Sequence, residues 1–179
     1  MLLVVTMTGC TGENQELEQM MSFRAKLLAG LGCSFDSVIT ADYGEEIYTF
    51  HVSCRGDEWG NLTFTVTEPE SISGITGKID GEGGKLTFDD QALAFAMLAD
   101  GQITPVSAPW LLLRALRGGY VSFCGREENS LRVSIRDSYE EDTVKMDIWF
   151  HGGELPTYGE IIWDGRKILS IEISKFEIL

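Results

Sequence analysis

The sequence predicts an α+β fold built on one long antiparallel sheet, and three observations carry that reading. Segments of apolar–polar alternation recur along the chain, separated by short turn signals. Two segments instead show helical spacing of their apolar residues. Twenty glycines against four prolines supply many tight turns. The composition, 44% apolar and 10% aromatic, is that of a folding chain, and 179 residues suit a single domain. Twenty-eight acidic residues against 14 Lys and Arg leave a net charge of −14. That balance argues against nonspecific nucleic-acid binding and against a polybasic membrane patch. No run reaches the roughly 20 apolar residues that a spanning helix needs.

The chain opens Met-Leu-Leu-Val-Val-Thr-Met-Thr-Gly-Cys, an apolar stretch ending in small residues before Cys10. This resembles the end of a bacterial lipoprotein signal, cut before a cysteine that becomes the lipidated first residue. Residues 1–9 then read as a truncated signal remnant, with no basic residue before the apolar run. The other reading makes residues 2–7 an opening strand. After Cys10, residues 13–28 have helical spacing, with Leu17, Met20, Met21, Leu28 and Leu31 expected on one core-facing stripe. Glu13, Glu16 and Glu18 lead and Arg24 and Lys26 follow, the order a helix dipole prefers. Gly30 and Gly32 end the helix.

Residues 33–41 and 46–55 both alternate and flank Asp42-Tyr43-Gly44-Glu45, a hairpin. With Tyr43 and Gly44 as the loop, Ile39 faces Tyr48, Ser37 faces Phe50, Phe35 faces Val52 and Cys33 faces Cys54 on the apolar side. Val38 then faces Thr49 and Asp36 faces His51 on the polar side. Directly opposed cysteines about 4.5 Å apart at Cα suit a disulfide. That register therefore predicts a Cys33–Cys54 bridge, with two buried free thiols as the alternative. Cys124 remains as a strand thiol.

Residues 62–67 alternate and stop at Glu68-Pro69. Short strands are expected at 74–80, 85–88 and 92–98. Thr104-Pro105-Val106-Ser107-Ala108-Pro109 introduces a helix through Trp110–Arg117, capped by Ser107 or Ala108, with Pro109 in its first turn and Gly118-Gly119 at its end. Strands follow at 120–126, 131–138, 143–150, 157–163 and 166–176. Asp164-Gly165 between the last two is the strongest hairpin signal. About 10–11 strands in one succession exceed what a flat sheet carries, so the sheet is expected to curl. Nothing divides the segment 10–179 into smaller domains.

This order of elements resembles the Lol-type lipoprotein-carrier superfamily. It is most similar to Gram-positive envelope lipoproteins of that superfamily, among them the spore-germination lipoproteins. The phrases that carry the likeness are Phe64-Thr65-Val66-Thr67-Glu68-Pro69, Leu98-Ala99-Asp100-Gly101, and Asp147-Ile148-Trp149-Phe150 followed by Leu155-Pro156 and Glu160-Ile161. The resemblance implies a strongly curved half-barrel with two helices on its concave side. Relatives use that cavity for acyl chains or lipids, or use the fold for docking. Candidate lining residues are Phe35, Ile39, Phe50, Val52, Phe64 and Val66, with Trp110 on the covering helix. They could equally be core packing the helices.

No catalytic pattern stands out. The chain lacks Gly-x-Ser-x-Gly, Cys-x-x-Cys, His-Glu-x-x-His and a phosphate-loop glycine pattern. His51 is expected beside Asp36 on a strand surface, and His151-Gly152-Gly153 reads as a turn. The acids near Asp57 and Asp80 lack calcium-loop spacing. The expectation is a non-enzymatic protein with no cofactor or metal. It would sit on the extracytoplasmic face of the cell membrane, held by the Cys10 lipid. Two functions follow: the half-barrel binds an acyl chain, lipid or lipoprotein moiety, or it is a scaffold for an envelope protein such as a cell-wall hydrolase.

Overall fold

The computed structural model describes residues 12–81, 86–88, 103–136, 144–152 and 154–179. Cys10, the proposed signal and the expected strand at 92–98 lie outside them. Helix α1 (Gly12–Ala29) leads into five strands, β1 (Gly32–Asp42), β2 (Ile47–Asp57), β3 (Leu62–Glu68), β4 (Thr76–Ile79) and β5 (Leu86–Phe88). Helix α2 (Ala108–Gly118) follows the 3-10 turn Pro105–Ser107. Then come β6 (Tyr120–Glu127), β7 (Ser130–Arg136), β8 (Lys145–His151), β9 (Leu155–Trp163) and β10 (Arg166–Ile178).

These ten strands form one antiparallel sheet in the order β5-β4-β3-β2-β1-β10-β9-β8-β7-β6. The order describes two five-strand meanders joined where the first strand meets the last. Because β5 and β6 lie on opposite edges, the chain between them must cross the whole sheet, and α2 is part of that crossing. Burying an apolar sheet face under the crossing segment follows from the connectivity. The fold is therefore the expected open, curved α+β half-barrel with two helices.

Curvature has a visible source. Five ladders shift register, leaving Ser122, Thr67, Thr157 and Ile168 as extra residues and a further irregularity where β10 passes Phe35. Each bulge bends its strand and strengthens the local twist. At the Asp164-Gly165 hairpin both residues have positive φ, 49° and 71°, as a two-residue turn of the primed kind requires.

The β1–β2 register differs from the expected one. Tyr43 N–H donates to the Glu46 carbonyl at 3.0 Å, so the two loop residues are Gly44 and Glu45. Gly44 takes the positive φ of 90°, and its N–H donates to Asp42 Oδ1 at 2.7 Å. Only glycine enters that region cheaply, so the turn centres one residue later than Tyr43-Gly44. Every pair slides by two: Phe35 faces Cys54, Ser37 faces Val52 and Ile39 faces Phe50, while Cys33 faces Gly56. A slide of two keeps each side chain on its face and changes only its partner. Cys33 and Cys54 are therefore diagonal neighbours, and both are free thiols instead of a disulfide. Asp36 accepts from Ser53 at 2.7 Å and from Lys175 at 2.8 Å. His51 instead faces Val38 and lies 3.5 Å from Glu68.

The core face of α1 also differs from the expected stripe. Met20, Phe23 and Leu27 are the buried residues, whereas Leu17, Met21, Leu28 and Leu31 are exposed. Phe23 sets the orientation, its ring meeting Phe150 edge-on at 5.1 Å and Phe176 at 6.0 Å. A large aromatic against two others outweighs a Leu–Met stripe of similar period.

Candidate functional site

All seven candidate lining residues share the helix-covered face of the sheet. Phe35, Ile39, Phe50, Val52, Phe64 and Val66 come from β1, β2 and β3, and Trp110 comes from α2. None is more than 7% exposed. Phe35 stacks on Phe176 of β10 with ring centroids 5.5 Å apart, and Ile39 directly faces Phe50. Phe64 lies across Gly77, where an added Cβ would meet the ring at 2.4 Å. The surface continues across β7, β8 and β9 through Val133, Ile148 and Ile161. It is an apolar sheet face crossed by buried Ser37.

The described helices cover this face unevenly. Helix α1 packs on β6 and β1, and α2 on β10 and β7. Leu113 of α2 approaches the β2 backbone at Gly56, where a Cβ would come within 2.5 Å of its Cδ2. The 3-10 turn Pro105–Ser107 lies on β1. Beside α2, a gap of about 20 Å³, room for roughly one water, lies among Leu111, Ala115, Ile135, Val144 and Met146 with Arg114 and Arg136 at its rim. Side chains pack the face around α2.

One polar contact ties the two helices together. Arg24 of α1 donates through Nε to the Leu116 carbonyl at 2.8 Å. Through one terminal nitrogen it donates to Ala115 and Gly119 carbonyls at 3.0 and 2.8 Å. Leu116 and Gly119 supply carbonyls at the helix end, where intrahelical donors run out, and the Ala115 carbonyl also accepts the Gly119 N–H at 3.1 Å. Sequence reasoning gave Arg24 only a dipole role within its own helix, because a partner 92 residues away has no local signal.

The opposite face of the sheet carries the second cluster that the sequence did not single out. Asp147 of β8 is 2% exposed and accepts from Arg132 at 2.8 Å and Lys145 at 3.1 Å. Burial alone would raise its carboxyl, but bonds from Ser134, Arg132 and Lys145 outweigh burial and hold it below the usual carboxylate range. The Arg132 guanidinium lies over Trp149 at 5.3 Å and Phe123 at 5.8 Å, and Trp149 Nε1 donates to Glu127 at 2.9 Å. Beside this cluster an open groove of about 320 Å³ is lined by Ser122, Phe123, Arg132, Ser134, Arg136 and Lys145. Alternation alone would have placed Arg132, Ser134 and Asp147 on one polar face. Their mutual contacts needed the register, in which Ser134 faces Asp147.

Neither His51 nor His151 lies in the groove or on the apolar face, and His151 contacts Ser130 at 3.4 Å. No group of three metal-binding side chains comes together among the described residues. Burial pushes the Cys33 and Cys54 thiols up and Cys124 up to about 11, the setting of inert rather than nucleophilic cysteines. Among the described residues, no helix is long and apolar enough to cross a membrane.

No family model matches the chain, and no curated protein matches its sequence. Solved structures similar to it include an uncharacterized conserved protein from Thermus thermophilus, at 9% identity over 92% of this chain and 88% of that one, with a TM-score of 0.44. A putative outer membrane lipoprotein-sorting protein domain from Vibrio parahaemolyticus is 8% identical over 93% of each chain, with a TM-score of 0.43. A LolA superfamily protein from Nitrosomonas europaea is 9% identical over 95% of this chain and 94% of that one, also with a TM-score of 0.43.

Proposed function

We propose that this protein is a non-catalytic lipoprotein of the cell envelope, lipidated at Cys10 on the extracytoplasmic face. Its curved sheet takes an apolar ligand, an acyl chain, lipid or lipoprotein moiety, against the helix-covered face. The observation that supports the reading is the continuity of that face. Phe35, Ile39, Phe50, Val52, Phe64 and Val66 run side by side across three neighbouring strands, beneath the chain crossing that carries Trp110. The ligand would enter by displacing part of that crossing, because side chains pack the face around α2. A polarity-sensitive fatty-acid probe tests this. Saturable signal, competed by unlabelled fatty acid, is expected with the full chain. Natively folded protein that gives no saturable signal overturns ligand binding.

A second reading, a docking scaffold for an envelope protein such as a cell-wall hydrolase, has its own observation. At the edge of the described sheet, β6 exposes Tyr120 at 46% and Phe123 at 49%, and a sheet edge with aromatic side chains is a pairing surface. Capture of one such hydrolase, lost on Phe123→Glu, would favour this reading.

A further inference from the structure

We propose that the exposed flank of α1 is a membrane-contacting surface, on which Leu17, Met21 and Leu28 rest in the bilayer interface, continued by Leu31 and Trp59. The inference rests on the lipoprotein reading of Cys10 and goes beyond it, since an anchor alone does not orient a domain.

Helix α1 has two apolar sides. Met20, Phe23 and Leu27 face the core, and Glu16, toward the same side, pairs with Arg126 at 3.4 Å. Leu17, Met21 and Leu28 fall within about 40° of arc at about 100° per residue, roughly a quarter turn from the core side. They are 40%, 46% and 50% exposed. Scattered apolar residues on a surface need no explanation, but a stripe along the whole of one helix does. At the helix C-terminal end Leu31 is 75% exposed. It precedes Gly32, which pairs with Asp57, so the β2–β3 turn with Trp59, 73% exposed, lies at the same end of the molecule.

The chain before the helix names the occupant. Gly12 opens α1 only two residues after Cys10, the first residue once the signal is cut. A lipid on Cys10 holds the first turn of the helix at the bilayer. Eighteen residues span about 27 Å at 1.5 Å each, so an upright helix would lift Leu28 and Trp59 far from the interface. A helix lying flat brings Leu17, Met21 and Leu28 to the lipid together, and tryptophan prefers that boundary. Charge agrees. By helical position, Glu16 and Glu18 lie off this arc, and Glu13, Arg24 and Ala25 border it.

Hydroxyl-radical footprinting read by mass spectrometry tests the proposal on the native side chains. The lipidated full chain is bound to phosphatidylcholine vesicles containing some phosphatidylglycerol and compared with the Cys10→Ser chain in solution. Oxidation of Met21 and Trp59 is expected to fall several-fold on vesicles, while exposed Tyr48 and Phe123 keep their rates and buried Met20 stays slow in both. Leu28→Glu should weaken the protection and leave lipidation and circular dichroism unchanged. A lipidated, vesicle-bound chain with unprotected Met21 overturns the proposal and leaves the anchor standing. A chain whose mass shows no lipid on Cys10, and which does not float with vesicles, overturns both. Protection of Met21 in the Cys10→Ser chain without vesicles assigns the flank to a protein contact and overturns the membrane assignment.

Discussion

Asp147 shows how one residue on the open face of a sheet comes to be buried. Arg132 and Lys145 close over it, and Phe123 and Trp149 flank the Arg132 guanidinium. Replacing its charge leaves two cations with reduced pairing, so Asp147→Asn should destabilise the fold by about 2 kcal/mol in urea unfolding. The same carboxyl sets a pH dependence. Its folded-state pKa lies below the unfolded value, so the unfolded chain takes up the proton first as pH falls. The contribution is full above the unfolded carboxylate value of about 3.9 and is lost as pH drops below it toward the folded value. Wild type should therefore lose more stability than Asp147→Asn between about pH 5 and pH 2. Equal losses would remove Asp147 from the account.

At the scale of elements, the helices are held to each other by a cap that belongs to neither sequence segment alone. Arg24 supplies the positive charge and the donors that the C-terminal carbonyls of α2 require, which also complements the helix dipole. Arg24→Ala should cost about 2 kcal/mol, since it removes bonds from a charged, part-buried donor. Arg24→Lys should recover only part of that, because an ammonium lacks the planar fork that serves three carbonyls. The midpoint in urea should fall with little change in slope. An Arg24→Ala protein as stable as wild type would mean that packing alone seats α2.

The whole molecule is two meanders sharing one seam. β1 pairs with β10 over eight residue pairs from Cys33–Ile178 to Ala41–Leu169, and this contact joins the halves. A chain ending at Trp163 would strip β1 and β9 of a neighbour together and expose Phe35 and Phe23, which lean on Phe176. Neither half should stay folded, so the truncated chain should show no cooperative thermal transition by circular dichroism. A retained transition would show the halves to be independent units.

The class of fold, the ten described strands and both helices were legible in the sequence because alternation and helical spacing are local properties. The seven apolar residues proposed to line one face were legible for the same reason. Partners were not. A turn that moved from Tyr43-Gly44 to Gly44-Glu45 kept Cys33 and Cys54 on the expected face and took away their pairing. The choice depended on which residue could take positive φ. On α1, helical spacing put Leu17, Met20, Met21, Leu28 and Leu31 on the core stripe, and contact of Phe23 with Phe150 and Phe176 turned a different side inward. Arg24 reaching across 92 residues and Asp147 meeting Arg132 depend on strands and helices brought together by the sheet order. The sequence by itself determined which strand residues share a sheet face, since that repeats every two positions. The tertiary structure alone decided which groups meet, since that depends on register and on the crossing from one sheet edge to the other.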